Sequence, residues 1–254
     1  MKIIVFDCET TGLPYIKRLE DTPSVLELWP HIIQLSYIIY NIDTNNIEKI
    51  SNNYIKLPNN IKISIDSIKI HSLTNEFIQE NGIIIDNILL NFIEDLHNVD
   101  LVIGHNIEFD INMIKVELFR LLNNIKLEIK LLKNNTSIPE LEPELETELE
   151  TELSIKNKKE NVIRAINYIC NIKNIFCTCK EYTKFCRLEK INKYGEKYYK
   201  FPKLTELYKK IFDCEPDNMH DSLFDVLAVG CGGKARDGKY RRLSVLAAIK
   251  SILQ

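Results

Sequence analysis

Apolar residues occur along the chain in two kinds of run, short β-branched stretches and longer stretches with helical spacing. Residues 2–6 are almost all β-branched or aromatic, which predicts a strand buried on both faces. Residues 32–40 and 53–57 are predicted as strands of a hairpin, with the polar residues 43–46 as its turn. A short apolar run at residues 101–104 predicts a further buried strand.

Helical spacing predicts three amphipathic helices, the first over residues 86–97 with Asp86 placed to cap it. The predicted buried stripe of this helix is Ile88, Leu89, Phe92, Ile93 and Leu96. A second helix follows residue 106, with the stripe Ile107, Ile111, Ile114, Leu118 and Leu121. Near the C-terminus a third would bury Leu204, Leu207, Tyr208 and Ile211, although the basic and aromatic residues just before it also suit stacking on nucleic acid.

Two carboxylates end the first predicted strand. Asp7 and Glu9 are two residues apart, so in an extended chain they point to the same face. Like charges this close repel unless a cation lies between them, and Mg²⁺ or Mn²⁺ prefers carboxylate oxygens. A metal site is therefore one interpretation, and a strand end with two solvated acids is the other.

Further acids follow in polar clusters next to apolar elements. Asp110 lies between a buried strand and a helix, where open α/β sheets bind ligands, although alone it could be a solvated helix residue. His220 and Asp225 would lie about 140° apart on a helix, which puts His220 in the preceding loop. Asp221 shares a helix face with Asp225 and is a rival ligand, but its position also suits an N-cap.

Three segments follow one another along the chain: Asp7-Cys8-Glu9-Thr10-Thr11-Gly12, His105-Asn106-Ile107-Glu108-Phe109-Asp110 and His220-Asp221-Ser222-Leu223-Phe224-Asp225. Together they resemble the motifs of the DEDD superfamily of 3′–5′ exonucleases, in the branch with a histidine (DEDDh). This superfamily contains the epsilon proofreading subunit of bacterial DNA polymerase III and RNase T. Residues 70–76 are similar to an Ile-His-Gly-Ile-Thr segment of many relatives. Here Ser72 replaces the glycine, and His71 is interpreted as anchoring a loop.

The resemblance implies an α/β, RNase H-like fold, with a mixed five-stranded sheet flanked by helices. It implies two Mg²⁺ or Mn²⁺ ions, with Asp7, Glu9, Asp110 and Asp225 as ligands and His220 taking a proton from the attacking water. The implied substrate-binding residues are Thr10, Thr11, Gly12, Leu13, His105, Asn106 and Phe109.

The resemblance also implies the substrate, single-stranded nucleic acid degraded from its 3′ end to nucleoside 5′-monophosphates, with DNA favoured over RNA. An RNA-trimming enzyme and a catalytically silent binding module remain alternatives. A polymerase or a second copy of the chain would be the protein partner.

Composition narrows these possibilities. The chain has 254 residues and a net charge of −3, so a basic coat for duplex DNA is absent. Seven cysteines without a signal peptide predict reduced thiols in an intracellular, soluble protein of cytoplasm or nucleus, and no apolar run is long enough for a membrane span. The spacing of Cys170, Cys177, Cys179 and Cys186 lacks the paired Cys-x-x-Cys of structural zinc sites.

Two segments depart from the rest of the predicted exonuclease domain, residues 1–229. Residues 133–159 contain an acidic low-complexity repeat, which predicts a disordered or solvated insertion without a packed element. Residues 230–254 form an atypical tail, which holds four of the eight glycines. This tail is either a foreign or frame-shifted ending or an ordinary loop before a last helix.

Overall fold

A computed structural model of the protein describes residues 1–135, 143–214, 221–223 and 225–226. Its centre is a five-stranded mixed sheet with the strand order β3-β2-β1-β4-β5. The strands are β1 (Lys2–Thr10), β2 (Ile32–Asn41), β3 (Asn46–Tyr54), β4 (Leu101–Gly104) and β5 (Ile175–Cys177). β1 is antiparallel to β2 and parallel to β4, so the carboxyl ends of β1 and β4 meet at one edge of the sheet. The predicted fold class is confirmed.

Helices surround this sheet. They are α1 (Pro23–Leu26), α2 (Ile65–His71), α3 (Asn75–Asn81), α4 (Ile85–His97), α5 (Ile107–Asn135), α6 (Pro143–Cys170), α7 (Thr178–Glu181), α8 (Thr183–Cys186) and α9 (Leu204–Phe212). A separate two-stranded antiparallel ribbon, β6 (Glu189–Ile191) and β7 (Lys197–Tyr199), precedes α9. No helix in the described ranges is long and apolar enough to cross a membrane.

β1 is buried on both faces, as its run of β-branched residues predicts. Ile4 and Phe6 belong to the core formed with α4, α5 and α6. Ile3 and Val5 belong to a second core, which also contains α9 and Val226. Because side chains alternate along a strand, Asp7 and Glu9 continue the face of Ile3 and Val5. This face leads towards the segment that carries Asp225.

The hairpin differs from its prediction in its second strand. β3 spans Asn46–Tyr54 and pairs with β2 over most of its length, whereas the prediction placed this strand at residues 53–57. β3 is an edge strand whose residues are mostly exposed, so it lacks the apolar alternation that marks a strand in sequence. Ile55 and Leu57 are buried, but they lie beyond the strand.

α4 buries the five predicted residues. The predicted cap is wrong: the helix is preceded by Ile84 without a side-chain cap, and Asp86 lies inside the first turn. The carboxylate of Asp86 instead accepts a hydrogen bond from Lys158 Nζ at 2.7 Å. This ion pair joins α4 to α6.

α6 corrects the expectation for the acidic insertion. Residues 143–170 form one helix, and from Ile155 onward its apolar side chains Ile155, Val162, Ala165 and Ile169 are buried against the main core. Thr151, Glu152 and Leu153 are exposed, as a solvated segment requires. Among the side chains that the structure describes, burial on this helix begins only after the repeat, at Ile155. The tail, residues 230–254, lies outside the described residues.

The structure agrees with the anchoring role predicted for His71. Ser72 ends α2 in the left-handed conformation with φ at 63°, the region in which glycine is at least cost. His71 is buried and its Nδ1 accepts a hydrogen bond from the Leu73 amide at 3.0 Å, as an anchoring residue should. Cys177 is a buried residue at the end of β5.

Candidate active site

Three carboxylates converge at the carboxyl end of β1. Asp7 and Glu9 extend from the strand, and Asp225 comes from a helical segment that also includes Ser222 and Val226. One oxygen of each carboxylate lies within 4.8 Å of one oxygen of the other two. Residues more than 200 positions apart in the chain thus share one small space.

Asp110 joins this group from the opposite side of β1. It lies in the first turn of α5, which begins directly after β4, and it is only 3% exposed. Its Oδ1 accepts a hydrogen bond from the Cys8 amide at 3.1 Å. The close approach of α5 depends on Gly104, because a Cβ there would lie 3.0 Å from the Cβ of Ile107.

The negative charges of these carboxylates repel each other, and burial and this repulsion raise their pKa values. Burial raises the pKa of Glu9 to about 8, with a further contribution from the negative charges of Asp225 and Asp110. Burial also raises the pKa of Asp110 to about 8, against the lowering effect of the hydrogen bond from Cys8. The pKa of Asp7 is raised well above its ordinary value, by burial first and by the neighbouring carboxylates second.

The donor set fits divalent cations. Four carboxylates in one partly buried space are stable as anions only if positive charge compensates them, and hard divalent ions prefer oxygen ligands. In the described part of the chain, Asp7, Glu9 and Asp225 form the cluster close enough to share one ion.

The predicted rival ligand, Asp221, has a different set of contacts. Its Oδ1 accepts a hydrogen bond from the Leu223 amide at 2.9 Å, the geometry of an N-cap. The same oxygen lies 3.3 Å from Gln34 Nε2. These contacts agree with the capping role.

Sequence reasoning missed the polar residues of β2 that hold the Asp225 segment. Ser222 Oγ lies 2.6 Å from Ser36 Oγ, and both side chains are fully buried. Gln34 Oε1 accepts from the Ser222 amide at 3.4 Å. Ser36 and Gln34 are paired in the sheet with Asp7 and Glu9. The only signal in the sequence is two polar residues inside an otherwise apolar strand.

The predicted substrate-binding residues after β1 have mixed environments. Thr10 and Thr11 are buried, and Thr10 Oγ1 donates to the Gly12 carbonyl at 2.7 Å. The Thr11 amide donates a hydrogen bond to the His31 carbonyl at 2.9 Å, and the His31 amide donates one to Thr11 Oγ1 at 3.0 Å. Leu13 is 79% exposed. A rigid turn therefore presents one apolar side chain to solvent beside the carboxylates.

The residues predicted from the second motif also differ among themselves. His105 Nε2 donates to the Pro202 carbonyl at 3.0 Å, and its Nδ1 lies 2.9 Å from Thr178 Oγ1. Burial lowers the pKa of His105 to about 4, so the ring is neutral at pH 7. These contacts favour a positioning role over direct substrate binding.

Asn106 is exposed with φ at 62°, and Phe109 packs partly against the main core. His220 lies outside the described residues.

A buried ion pair fixes the loop between β1 and β2, and sequence reasoning missed this too. Arg120 Nη1 contacts Glu117 Oε1 at 2.8 Å and donates to the Pro30 carbonyl at 2.9 Å. Its Nη2 donates to the carbonyls of Leu26 and Trp29, each at 2.7 Å. Arg120 therefore holds the loop that pairs with Thr11. In the sequence, Glu117 and Arg120 are visible only as an acid and a base three residues apart on a helix. This spacing does not tell a buried ion pair from an exposed one.

Comparisons with solved structures show the same fold in exonuclease I. A structure of E. coli exonuclease I in complex with a dT13 oligonucleotide has a TM-score of 0.54 and 14% identity, covering 98% of this chain and 41% of that chain. Exonuclease I from Methylocaldum szegediense has a TM-score of 0.50 and 15% identity, covering 89% of this chain and 38% of that chain. The zinc-bound form of an E. coli exonuclease I complex with single-stranded DNA has a TM-score of 0.51 and 16% identity, with the same coverage of 89% and 38%. The chain thus spans about two fifths of the length of these structures.

Sequence comparison identifies the family. No curated protein matches the chain significantly. The family model described as Exonuclease (RNase_T) matches residues 4–146, more than half of the chain. This range contains β1 with Asp7 and Glu9, and also the start of α5 with Asp110. The chain therefore belongs to the exonuclease family of nucleases.

Proposed function

We propose that the protein removes nucleotides one at a time from the 3′ end of single-stranded nucleic acid, with DNA as the favoured substrate. The observation that carries this proposal is the convergence of Asp7, Glu9 and Asp225 within 4.8 Å, next to the buried Asp110. The exonuclease I structures with a dT13 oligonucleotide and with single-stranded DNA support the choice of substrate.

The proposal assigns two Mg²⁺ or Mn²⁺ ions to these carboxylates. Asp7, Glu9 and Asp225 would hold one ion, and Asp110 would help to hold the other. When bound, such ions neutralise the carboxylates and stabilise the negative charge that develops on the phosphate. The ionised form of Asp110 would be favoured further by the hydrogen bond from Cys8.

The chain's own residues divide the remaining work. His220, whose ordinary pKa is about 6.5, takes the proton of the attacking water at neutral pH. The water oxygen forms a bond to phosphorus, the bond from phosphorus to the 3′ oxygen breaks, and this oxygen takes a proton from solvent. The products are a nucleoside 5′-monophosphate and a strand one nucleotide shorter. Leu13, which is exposed after the turn at Thr10 and Gly12, would pack against the terminal base.

The test is degradation of matched 5′-labelled DNA and RNA strands, each with Mg²⁺ or Mn²⁺, by the wild type and by Asp7→Asn. A ladder that shortens from the 3′ end, with nucleoside 5′-monophosphates released and no ladder in the variant, is the expected result. A faster ladder on RNA would make the protein an exoribonuclease. Metal binding by the folded wild type without any ladder would indicate a silent binding module and overturn the proposal.

A further inference from the structure

The segment around the β6–β7 ribbon has a composition unlike the rest of the protein. Residues 184–203, the ribbon segment, contain seven lysines and arginines and two glutamates in a chain of net charge −3. They also contain five exposed aromatic side chains: Phe185, Tyr194, Tyr198, Tyr199 and Phe201. Among the described residues, Tyr15 is the one other exposed aromatic. The exposed aromatic side chains therefore lie in the same segment as the excess of positive charge.

The positive charge of the ribbon segment is largely uncompensated. Glu189 lies 3.4 Å from Lys197, and Glu206 of α9 contacts Lys200. Lys190 and Lys193 form no ion pair with any carboxylate of the described residues. Both side chains are exposed. These two ammonium groups are available for anions.

Cations and aromatic rings are neighbours on the ribbon. Lys190 is the β6 partner of Tyr198 on β7, and directly opposed residues of an antiparallel pair lie on the same face. Lys193 Nζ lies 4.9 Å from the centre of the Tyr194 ring. A row of rings beside ammonium groups matches the bases and phosphates of a single strand, which offers both along its length. A duplex hides its base faces and fits this surface less well.

The ribbon segment is fixed to the candidate active site at its base. Pro202, the second-last residue of the segment, is buried and accepts the hydrogen bond from His105, five residues before Asp110. α9 follows directly and packs with Val226, the neighbour of Asp225. The turn of the ribbon, near residue 194, lies at most about 25 Å from Pro202 along the strand. The ribbon can therefore extend over this distance from the point at which it is fixed, and so contact nucleotides beyond the one at the 3′ end.

We propose that the ribbon segment is a second binding site for single-stranded nucleic acid, which holds the strand away from the 3′ end being cleaved. This inference rests on the proposed function. It assigns base stacking to Tyr194 and Tyr198 and phosphate contacts to Lys190 and Lys193. The site supplies affinity for long strands and keeps them bound between successive cleavages.

The test compares binding and cleavage in Lys190→Gln/Lys193→Gln and in Tyr194→Ser/Tyr198→Ser. The matched control is Lys126→Gln/Lys130→Gln, which removes two exposed lysines from α5. Binding is measured by fluorescence anisotropy with oligothymidylates of 3 to about 20 nucleotides, in an Asp7→Asn background that prevents cleavage. Thermal unfolding of each variant shows that it is folded.

The aromatic variant should bind the long oligonucleotide at least about fivefold more weakly, since each stacked base contributes a factor of this size or more. In the lysine variant, the slope of log K against log salt should become less negative by about 1.4, because two phosphate contacts are lost. Binding of the trinucleotide should be unchanged in both variants. Hydrolysis of a p-nitrophenyl ester of thymidine 5′-monophosphate, measured with the same substitutions in the otherwise wild-type protein, should also be unchanged. The control should match its parent throughout.

The outcomes separate the two proposals. If the wild type does not hydrolyse the short ester or any oligonucleotide, the proposed function fails. If it cleaves, but the ribbon variants bind long strands as tightly as their parent, the second binding site is wrong. Equal weakening for short and long strands would also overturn it, and so would a preference for duplex. Self-association of the wild type through this surface, lost in the variants without any change in oligonucleotide binding, would assign the surface to a second copy of the chain.

Discussion

The amide of Cys8 donates a hydrogen bond to Asp110 Oδ1 across 3.1 Å, which links the strand that carries Asp7 and Glu9 to the helix that carries Asp110. This bond satisfies one buried carboxylate oxygen and orients it. It does not remove the repulsion among the carboxylates, whose pKa values are raised. In the absence of bound cations, the ionised carboxylates of the site therefore destabilise the folded protein.

Asp110→Asn should separate activity from stability. The asparagine oxygen can still accept the Cys8 amide, while the buried negative charge is lost. We expect cleavage to fall at least about a hundredfold. The melting temperature of the metal-free protein at pH 8 should rise by roughly 2 °C or more.

The matched control is Asp221→Asn, because its side-chain oxygen can keep the contact to the Leu223 amide. It should retain activity to within about tenfold. A loss as large as that of Asp110→Asn would make Asp221 a ligand after all.

The stability of the metal-free protein should fall as pH rises. The pKa values of Glu9 and Asp110 are about 8 in the folded protein, well above their unfolded values. Between about pH 4.5 and 8 the folded state binds more protons than the unfolded state, so the free energy of unfolding decreases with pH. Urea unfolding in EDTA at several pH values measures this. A flat or rising curve would contradict it.

Mg²⁺ should reverse this trend. Carboxylates must lose their protons to bind a cation, so the increase in melting temperature on adding Mg²⁺ should be larger at pH 8 than at pH 6. Asp7→Asn should reduce the increase at both pH values. An equal effect of Mg²⁺ in this variant would place the bound ion elsewhere.

Arg120→Ala should destabilise the protein by about 3–5 kcal/mol, because it leaves Glu117 as an unpaired buried charge and removes the donor of several backbone carbonyls. Equilibrium urea unfolding measures this loss. Arg18→Ala is the control, since the Arg18 side chain is 88% exposed and its contact with Glu20 spans 3.5 Å. It should change stability by less than about 0.5 kcal/mol. Equal effects of the two substitutions would show that the Arg120 network contributes little.

His220→Ala should lower the cleavage rate by about 10²–10⁴, the usual contribution of a general base. A base must be neutral to accept a proton, so the wild-type rate should increase with pH as His220 loses its proton and then level off. The residual rate of the variant should lack this step, which a pH–rate profile at saturating Mg²⁺ would show. A step that persists in the variant would assign the proton to another group.

The sequence alone determined the parts of this protein that depend on local periodicity. The buried strand β1, the stripes of α4 and α5 and the strand Leu101–Gly104 follow from apolar spacing, because burial of these side chains is what makes the elements form. It also named Asp7 and Glu9, because two carboxylates on one strand face are a local pattern, whereas the choice of Asp110 and Asp225 came from the resemblance of the motifs that contain them. The bounds of the edge strand β3 and the existence of the helix α6 were not predicted, since polar exposed elements depend on pairing or packing that spacing does not encode.

Only the tertiary structure decided which distant residues meet. It brought Asp225 to Asp7 and Glu9, and it used Ser36 and Gln34 of β2 to hold the segment that carries Asp225. It also formed the hydrogen bond from His105 to the Pro202 carbonyl and the hydrogen bonds from Arg120 to the loop beside Thr11. Such contacts join residues that are far apart in sequence, and their energies come from burial and hydrogen-bond geometry. Both quantities exist only once the sheet and its helices have packed together.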